Sequence, residues 1–339
     1  MRAHPPLISL RQLAWATIAS LVFVPLAFWG ASFDEVSRIV QQANWQPLVV
    51  AALVGTLAQA AKAARWQLFF PTRPTFTSAF AALIIGQVVN WLLPARLGDV
   101  ARVVVLRRRA AERAARIVGT IGAEKLVELI ALFAFALAVA PFVPLPVWLL
   151  DPSLRLSVVL LGGILLLSIV FLQQARLRRW GAWLGAKWLR VESARVERQF
   201  DLTVEGFAPL RQRARVVKIF AWSLLVWGLM AATNFIVFLA LPLPASWLTA
   251  VVLLLVLQVG VAVPTTPGKI GVFQALVTLT LALFGIGREL ALGYGLLLYF
   301  VVVVPQLVCA GPFIWQEVMR LRRPRVVGAK HLPVNLQSD

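Results

Sequence analysis

Residues 84–99 read Ile-Ile-Gly-Gln-Val-Val-Asn-Trp-Leu-Leu-Pro-Ala-Arg-Leu-Gly-Asp, an apolar stretch that a proline and a glycine interrupt. Residues 258–271 read Gln-Val-Gly-Val-Ala-Val-Pro-Thr-Thr-Pro-Gly-Lys-Ile-Gly. In both stretches a glutamine is followed by Pro-x-x-x-Gly and then by a charged residue. Proline removes a helical hydrogen bond, and glycine adopts backbone angles that other residues avoid. The two stretches therefore predict a broken helix in each half of an internal repeat; two ordinary loops are the alternative. The predicted break residues are Pro94, Gly98, Pro264, Pro267, Gly268 and Gly271.

The composition indicates a membrane protein. Of the 339 residues, 60% are hydrophobic and 14% are charged, whereas a soluble domain carries about 25% charged residues. Several apolar stretches reach the roughly 20 residues that a helix needs to cross a bilayer. The formal charge of +19 is interpreted as membrane topology and attraction to anionic lipids rather than nucleic-acid binding. The predicted fold class is an all-α polytopic membrane protein.

About eight crossings and one partial element are predicted from the lengths of the apolar stretches. The predicted crossings are about 13–31, 47–70, 117–143, 156–172, 216–241, 245–263, 272–286 and 290–315. The apolar residues 78–94 are interpreted differently, because the seven arginines from Arg96 to Arg116 would face the outside if this segment crossed. Basic residues favour the cytoplasmic side. This segment is therefore predicted to enter the bilayer and return, with a full crossing as the alternative.

A single integral membrane domain is predicted over residues 1–320. Its halves, about 10–173 and 216–316, are joined by a basic insert at 174–215 in which apolar residues recur every 3 to 4 positions. That spacing is typical of an amphipathic helix at the membrane interface. Residues 321–339 form a basic tail. The basic segments place the insert and both termini on the cytoplasmic side of the cell membrane.

Charged residues beside the two breaks are candidates for binding a lipid phosphate. Arg96, Asp99 and Arg102 are three positions apart and share one helical face. Guanidinium groups bind phosphate oxygens bidentately, so this face predicts a phosphate cradle; anchoring by positive charge is the alternative. Lys269 could place an ammonium group near a phosphate at the start of the following helix. Asn90 either lines a polar path or bonds to a neighbouring helix.

Ionisable residues also occur inside apolar segments, where each is costly unless it is paired. Glu124, Lys125 and Glu128 lie near the start of the predicted crossing that follows the arginines, with both glutamates on one face. We predict that the glutamates pair with Arg65 or with the arginines after the first break. Such pairs would belong to a lipid site or would only hold helices together. Lys62 and Arg65 are expected to extend towards the membrane surface.

These residues form a set of motifs that occur together. The motifs are Arg65-Trp66, Gly86-Gln87-x-x-Asn90-x-x-x-Pro94-x-Arg96-x-Gly98-Asp99-x-x-Arg102, Glu124-Lys125, and Pro264-x-x-Pro267-Gly268-x-x-Gly271-x-Phe273. Over about residues 10–320 they resemble the lysylphosphatidylglycerol synthase transmembrane-region family. This family includes the membrane portion of the multiple peptide resistance factor and stand-alone flippase-like proteins. Its pattern has glutamate where this chain has Asp99, arginine at Lys125, glycine at Lys269 and glutamate at Gln274.

The resemblance implies a membrane module that moves or handles lipids. Because the chain ends at Asp339, without the synthase domain of the long relatives, synthase activity is not expected. The predicted function is a flippase that binds an anionic phospholipid or polyprenyl-phosphate head group in a polar cavity where the two breaks meet. The alternative is a non-transporting subunit that anchors or regulates a separate lipid- or polysaccharide-modifying enzyme.

Metal and nucleophilic chemistry are not expected from this sequence. Cys309 is the only cysteine, and the two histidines, His4 and His331, stand at opposite ends of the chain. They provide neither a set of soft metal ligands nor a disulfide framework. No serine or threonine in the apolar segments has a histidine beside it to act as a base. We therefore predict that the protein is not an enzyme and uses no metal or other cofactor; a membrane-embedded lipid transferase with Glu124 or Asp99 as its base is the alternative.

Overall fold

The computed structural model describes residues 32–93, 97–139, 193–244, 246–260 and 267–322. Its α-helices are α1 (Phe33–Gln41), α2 (Trp45–Gln67), α3 (Phe76–Leu92), α4 (Gly98–Ala110), α5 (Ala114–Val139), α6 (Ser193–Glu205), α7 (Arg213–Phe238), α8 (Trp247–Gly260), α9 (Val272–Ala282) and α10 (Arg288–Arg322). Short 3₁₀ turns form at Ala208–Arg211 and Pro267–Lys269. Every regular element in these ranges is helical, which confirms the predicted all-α membrane class.

Several predictions fall on parts of the chain outside those ranges. They are the crossings at 13–31 and 156–172, most of the basic insert, the tail beyond residue 322, and the residues Pro94, Arg96 and Pro264. The part of the insert within the described ranges contains α6 and the 3₁₀ turn that follows it.

Three of the described helices, α2, α7 and α10, are long and apolar enough to cross a membrane by length and composition. Helices α2 and α7 pack closely, since a Cβ on Gly55 would lie 3.5 Å from the Thr233 side chain. The main-chain N–H of Asn44, just before α2, donates to the carbonyl of Ala240, just after α7. At the other end Arg215 donates to the carbonyl of Phe70. The two helices therefore run antiparallel over their whole lengths.

Helices α3 and α4 form a hairpin that enters the bundle and returns to the same face. The Thr72 hydroxyl, before α3, bonds to the Glu112 carboxylate, after α4, at 3.3 Å. Because α3 has 17 residues and α4 has 13, each is shorter than the roughly 20 residues of a full crossing. The chain therefore reverses its direction between α3 and α4, as the arginine distribution predicts. We call the face that carries Thr72, Glu112 and Arg215 the basic face.

Helices α8 and α9 form a second short hairpin that starts from the opposite face. A turn at residues 239–241 and a short loop connect the end of α7 to the start of α8, and a short turn connects α9 to α10. The two helices have 14 and 11 residues. The stretches 245–263 and 272–286 are therefore shorter as helices than the full crossings expected from their apolar lengths. The two hairpins enter from opposite faces, which is the arrangement of an inverted repeat.

The tips of the two hairpins meet inside the bundle. Trp91, in the last turn of α3, lies under the Lys269 ammonium, which is 4.7 Å from its ring centroid. Phe273 and Tyr299 also pack edge-on against Trp91. The indole N–H of Trp91 donates to Gln306 Oε1 on α10 at 3.0 Å. The end of α3 before the first break therefore lies against Lys269 and the start of α9 at the second break; a cavity shared by both breaks stays a prediction.

Candidate functional site

A cluster of buried charged side chains lies where α2, α4, α5 and α7 meet. Its centre is Glu124, whose side chain is 0% exposed. Glu124 accepts hydrogen bonds from Arg102 Nη2 at 2.5 Å and from Arg65 Nη2 at 3.1 Å. Arg65 also donates to the Ser223 hydroxyl at 3.2 Å. Glu124 therefore joins an arginine of α2 to an arginine of the α3–α4 hairpin.

The cluster continues from this centre to a partly exposed rim. Glu128, one turn after Glu124, accepts from Arg65 at 2.8 Å and from Lys62 at 2.9 Å. Lys125 approaches the other oxygen of Glu128 at 3.6 Å. The exposed fractions of the side chains rise from 15% at Lys62 and 21% at Glu128 to 48% at Lys125. The rim is thus one side from which the cluster is accessible; Asp99, 36% exposed, marks another at the Arg102 end.

The cluster carries more positive than negative charge. Asp99, one turn before Arg102 on α4, lies 3.6 Å from Arg102 Nη1. Four cations therefore face three carboxylates, which leaves one net positive charge. The members are Lys62, Arg65, Arg102, Lys125, Asp99, Glu124 and Glu128. A net charge in a low-dielectric setting is costly, and an anion reduces that cost.

The cluster also has more hydrogen-bond donors than acceptors. Three buried N–H groups, Arg65 Nε, Trp66 Nε1 and Arg102 Nε, have no hydrogen-bond partner among the described residues. Two of them belong to stacked groups, because the Arg102 guanidinium carbon lies 4.1 Å from the Trp66 ring centroid. A buried donor without an acceptor costs about 1–3 kcal/mol. The cluster is therefore chemically suited to an anionic acceptor.

Two glycines hold Arg102 in place. Helices α3 and α4 cross at Gly86 and Gly98, and a Cβ on Gly86 would lie 2.5 Å from Arg102 Cγ and 2.8 Å from the Gly98 carbonyl oxygen. The Gly98 N–H donates to Asn90 Oδ1 at 2.8 Å, which fixes the start of α4 against the end of α3. Asn90 therefore bonds to the backbone of the neighbouring helix, one of its two predicted uses.

The second break depends on residues with positive φ. Gly268 has φ of 71°, Lys269 of 57° and Gly271 of 87°; the first and last of these are positions where glycine avoids strain. Gln274 Oε1 accepts the Gly271 N–H at 2.7 Å, and the Tyr299 hydroxyl donates to the Gly268 carbonyl at 2.7 Å. The neutral amide of Gln274 therefore supplies the acceptor that begins α9, a task that needs an oxygen but no charge.

Comparison with known proteins fits this arrangement. Residues 12–310 match the family described as the lysylphosphatidylglycerol synthase TM region. The chain belongs to this family. A comparison with curated proteins finds no match. The family indicates a function related to membrane lipids, and the matched region is the transmembrane part of the synthase that gives the family its name. Among the described residues, no group of three or more histidine, cysteine, aspartate and glutamate side chains could hold a metal ion.

Most of the family motifs contribute either to the ion-pair cluster or to the tips of the two hairpins. The ion-pair cluster brings together five predicted residues, Arg65, Asp99, Arg102, Glu124 and Glu128, and places Lys125 at its rim. The hairpin tips contain Asn90, Gly98, Gly268, Lys269 and Gly271. The glutamates pair with arginines across the bundle, as predicted.

The structure also corrects the expectation for Lys62 and adds one residue. Lys62 was expected to extend towards the membrane surface, but it turns inward and binds Glu128 at 2.9 Å. It lies three positions before Arg65 on the same helix, and this spacing is the signal that could have revealed it. Ser223, which binds Arg65, is a single hydroxyl residue in an apolar helix and gives no such signal. Arg65 does not reach the surface either, since it is 0% exposed.

Proposed function

We propose that this protein binds the phosphate of an anionic phospholipid or a polyprenyl-phosphate lipid at the ion-pair cluster and assists the movement of that lipid between leaflets. The proposal depends on one observation: the cluster has more positive than negative charge and more hydrogen-bond donors than acceptors. It carries one net positive charge and three buried N–H groups without acceptors among the described residues. A phosphodiester carries one negative charge and oxygens that accept such donors. The proposal assigns no catalytic reaction to the chain.

The rim supplies the route by which a head group would approach. Lys62 and Lys125 place two ammonium groups on the accessible side of the cluster, with Glu128 between them. Long basic side chains attract phosphate while their hydrocarbon stems stay in apolar surroundings. The lipid tails would remain in the bilayer while the phosphate reaches the rim. The opposed hairpins provide interrupted backbone within the bundle, a feature of transporter folds that bind substrates near the bilayer midplane.

Removal of the rim charge at Lys62 tests this proposal. In the Lys62→Gln variant the cluster has no net charge, so stabilisation by an anionic lipid should fall. Thermal unfolding of the detergent-solubilised protein is measured with dioctanoyl phosphatidylglycerol, farnesyl phosphate or dioctanoyl phosphatidylcholine. We expect the two anionic lipids to raise the Tm of the unchanged protein, since ligand at 100 times Kd adds about 2.7 kcal/mol. That increase should be mostly lost in Lys62→Gln.

The matched control is Lys218→Gln, which removes an exposed cation of α7 outside the cluster. An equal loss of lipid stabilisation in both variants would contradict a specific site. Reconstituted vesicles with a fluorescent anionic lipid then measure leaflet exchange. Stabilisation by anionic lipid with no exchange would favour the anchoring subunit, the alternative function. Equal stabilisation by phosphatidylcholine, which has no net charge, would show that the net negative charge of the lipid does not determine binding.

We also propose that the basic face is cytoplasmic, because basic residues accumulate on that side in short loops. Cys309 is replaced by alanine, and a cysteine is introduced at Arg108, which is exposed on α4. Arg109 is unsuitable because its side chain is 4% exposed and binds Glu317. We expect no labelling of residue 108 in intact cells by an impermeant maleimide, and full labelling after permeabilisation. Labelling in intact cells would reverse the orientation.

A further inference from the structure

A polar cavity lies between the three crossing helices, separate from the ion-pair cluster. Its volume is about 60 Å³, and it is bounded by residues of α2, α7, α8 and α10. The residues that face it include Gln59, Met230, Thr233, Val301, Pro305 and Gln306. None of the cavity's lining residues is ionisable. The cavity is therefore uncharged, with a few amide and hydroxyl groups on a largely apolar wall.

One side-chain acceptor in this cavity lacks a donor from the described residues, and one main-chain carbonyl loses its helical donor to a proline. Gln59 is 8% exposed, and its Oε1 has no hydrogen-bond partner among the described residues. Pro305 stands at the middle of α10 and has no N–H, so the carbonyl of Val301 loses its usual helical donor. Val301 and Pro305 both line the cavity. Each unsatisfied acceptor inside a membrane costs several kcal/mol, so a donor is needed at both positions.

The hydroxyl of Thr233 adds to this excess of acceptors. Its hydrogen is already used, because it donates to the carbonyl of Leu229 at 2.9 Å. Thr56, also on the cavity wall, donates in the same way to Ala52 at 2.8 Å. The remaining lone pairs of both oxygens can only accept. A guest of this cavity must therefore donate several hydrogen bonds or carry positive charge.

Gln306 and Lys62 favour a neutral donor over a cation. Gln306 Oε1 already accepts the indole N–H of Trp91, so the part of its amide that remains is the NH₂ donor. A metal ion cannot accept that hydrogen bond, whereas water both accepts and donates. Lys62 also lies one helical turn from Gln59 and brings positive charge towards this region.

We propose that this cavity is a binding site for ordered water, which hydrates α10 at Pro305. At about 10–15 Å³ of this volume for each molecule, the cavity of about 60 Å³ holds roughly four to six waters. They would donate to Gln59 and Val301 and accept from Gln306. Pro305 frees the carbonyl and the water satisfies it, so the two halves of α10 can change their angle without exposing an unpaired group. The first half carries Tyr299, which holds Gly268 at the second break.

X-ray radiolytic labelling tests the water site, because radicals formed from bound water oxidise adjacent methionines. Met230 lines the cavity, and Met319, 43% exposed at the end of α10, reports access to bulk solvent. In the unchanged protein we expect Met230 to be oxidised at a rate within about threefold of Met319, since ordered water stays in such sites. Methionine oxidation is measured by mass spectrometry of the full chain in nanodiscs.

Three variants distinguish oxidation of Met230 by cavity water from oxidation caused by general exposure of Met230 to solvent. Gln59→Leu removes an acceptor, and Pro305→Ala restores the donor to Val301; each should lower Met230 oxidation about threefold or more relative to Met319. Pro312→Ala, in the same helix but exposed and away from the cavity, should leave the ratio unchanged. Unoxidised Met230 in the unchanged protein would overturn the proposal. So would a ratio that neither cavity variant lowers.

A second experiment distinguishes bound water from a bound cation in the cavity. The labelling is repeated in sodium chloride and in choline chloride at equal ionic strength. We expect the same Met230 oxidation in both salts. Protection of Met230 in sodium alone would overturn the assignment to water and would indicate a sodium site.

Discussion

Glu124→Gln is expected to destabilise the protein by about 3–5 kcal/mol, the cost of removing one partner from a buried ion pair. Glu124 lies 2.5 Å from Arg102, closer than Asp99 at 3.6 Å, and it also binds Arg65. The substitution keeps the shape but removes the charge, so the cluster changes from one net positive charge to two. At about 2–4 °C for each kcal/mol, the Tm should fall by roughly 6–20 °C.

The control for this prediction is Glu205→Gln, which removes one of the two carboxylates that bind Arg116, the other being Glu112. Glu205 is 49% exposed, and a pair so exposed contributes about 0–1 kcal/mol. Thermal unfolding of both variants in the same detergent provides the comparison. Equal Tm shifts would mean that Glu124 is no more important than a surface carboxylate. In the double variant Arg102→Gln/Glu124→Gln, a smaller loss than the sum of the single variants would measure the coupling of the pair.

The first break and the paired glutamates could be predicted from sequence because local physics decides both. Pro94 cannot continue a helix, and a charge within an apolar stretch must find a partner. The number of partners could not be predicted. Arg65 binds Glu124, Glu128 and Ser223 because of how α2, α5 and α7 are rotated against one another. Spacing along one helix shows which residues share a face, but not which other helix that face meets.

The second hairpin shows a different limit. Residues 245–286 contain enough apolar residues for two crossings, and apolar length was the signal used to count them. In the structure the chain breaks around Pro267 and Gly268, and the flanking helices are 14 and 11 residues long. A hairpin buried among other helices is as apolar as a crossing helix. The Pro-x-x-x-Gly spacing, which occurs at residues 94–98 and again at 264–268, was the better evidence. It predicts a broken helix in both stretches.

The cavity beside Pro305 and the ion-pair cluster lie at separate places in the bundle, and both contact the α3–α4 hairpin or its partners. Gln306 on α10 lines the cavity and also binds Trp91, which lies under Lys269 at the hairpin tips. A change in the angle of α10 would therefore move the contact between the two breaks. The cluster holds the α3–α4 hairpin from its other side, through Arg102. The α3–α4 hairpin is thus fixed to the bundle at two points, at its tip through Trp91 and along α4 through Arg102.

Gly98→Ala is expected to separate α3 from α4 and to cause the second large loss of stability. A Cβ at residue 98 would lie 2.5 Å from Cγ and 2.6 Å from Nδ2 of Asn90, and still closer to the backbone oxygen of Gly86. Backbone cannot move aside as a side chain does, so the helices must part. Overpacking of this kind costs about 1–3 kcal/mol. Displacement of α4 would also draw Arg102 away from Glu124, which adds part of the buried ion-pair cost of about 3–5 kcal/mol.

Gly228→Ala is the matched control, because a Cβ on Gly228 in the middle of α7 meets no atom within 4 Å. Alanine there reduces the entropy of the unfolded chain and should raise stability by about 0.4–1 kcal/mol. The two variants make the same chemical change with opposite expected signs, and thermal unfolding measures both. If Gly98→Ala keeps the Tm of the unchanged protein, the close approach of α3 and α4 is not needed for the fold. In that case the position of Arg102 beside Glu124 must be maintained by the ion pair alone.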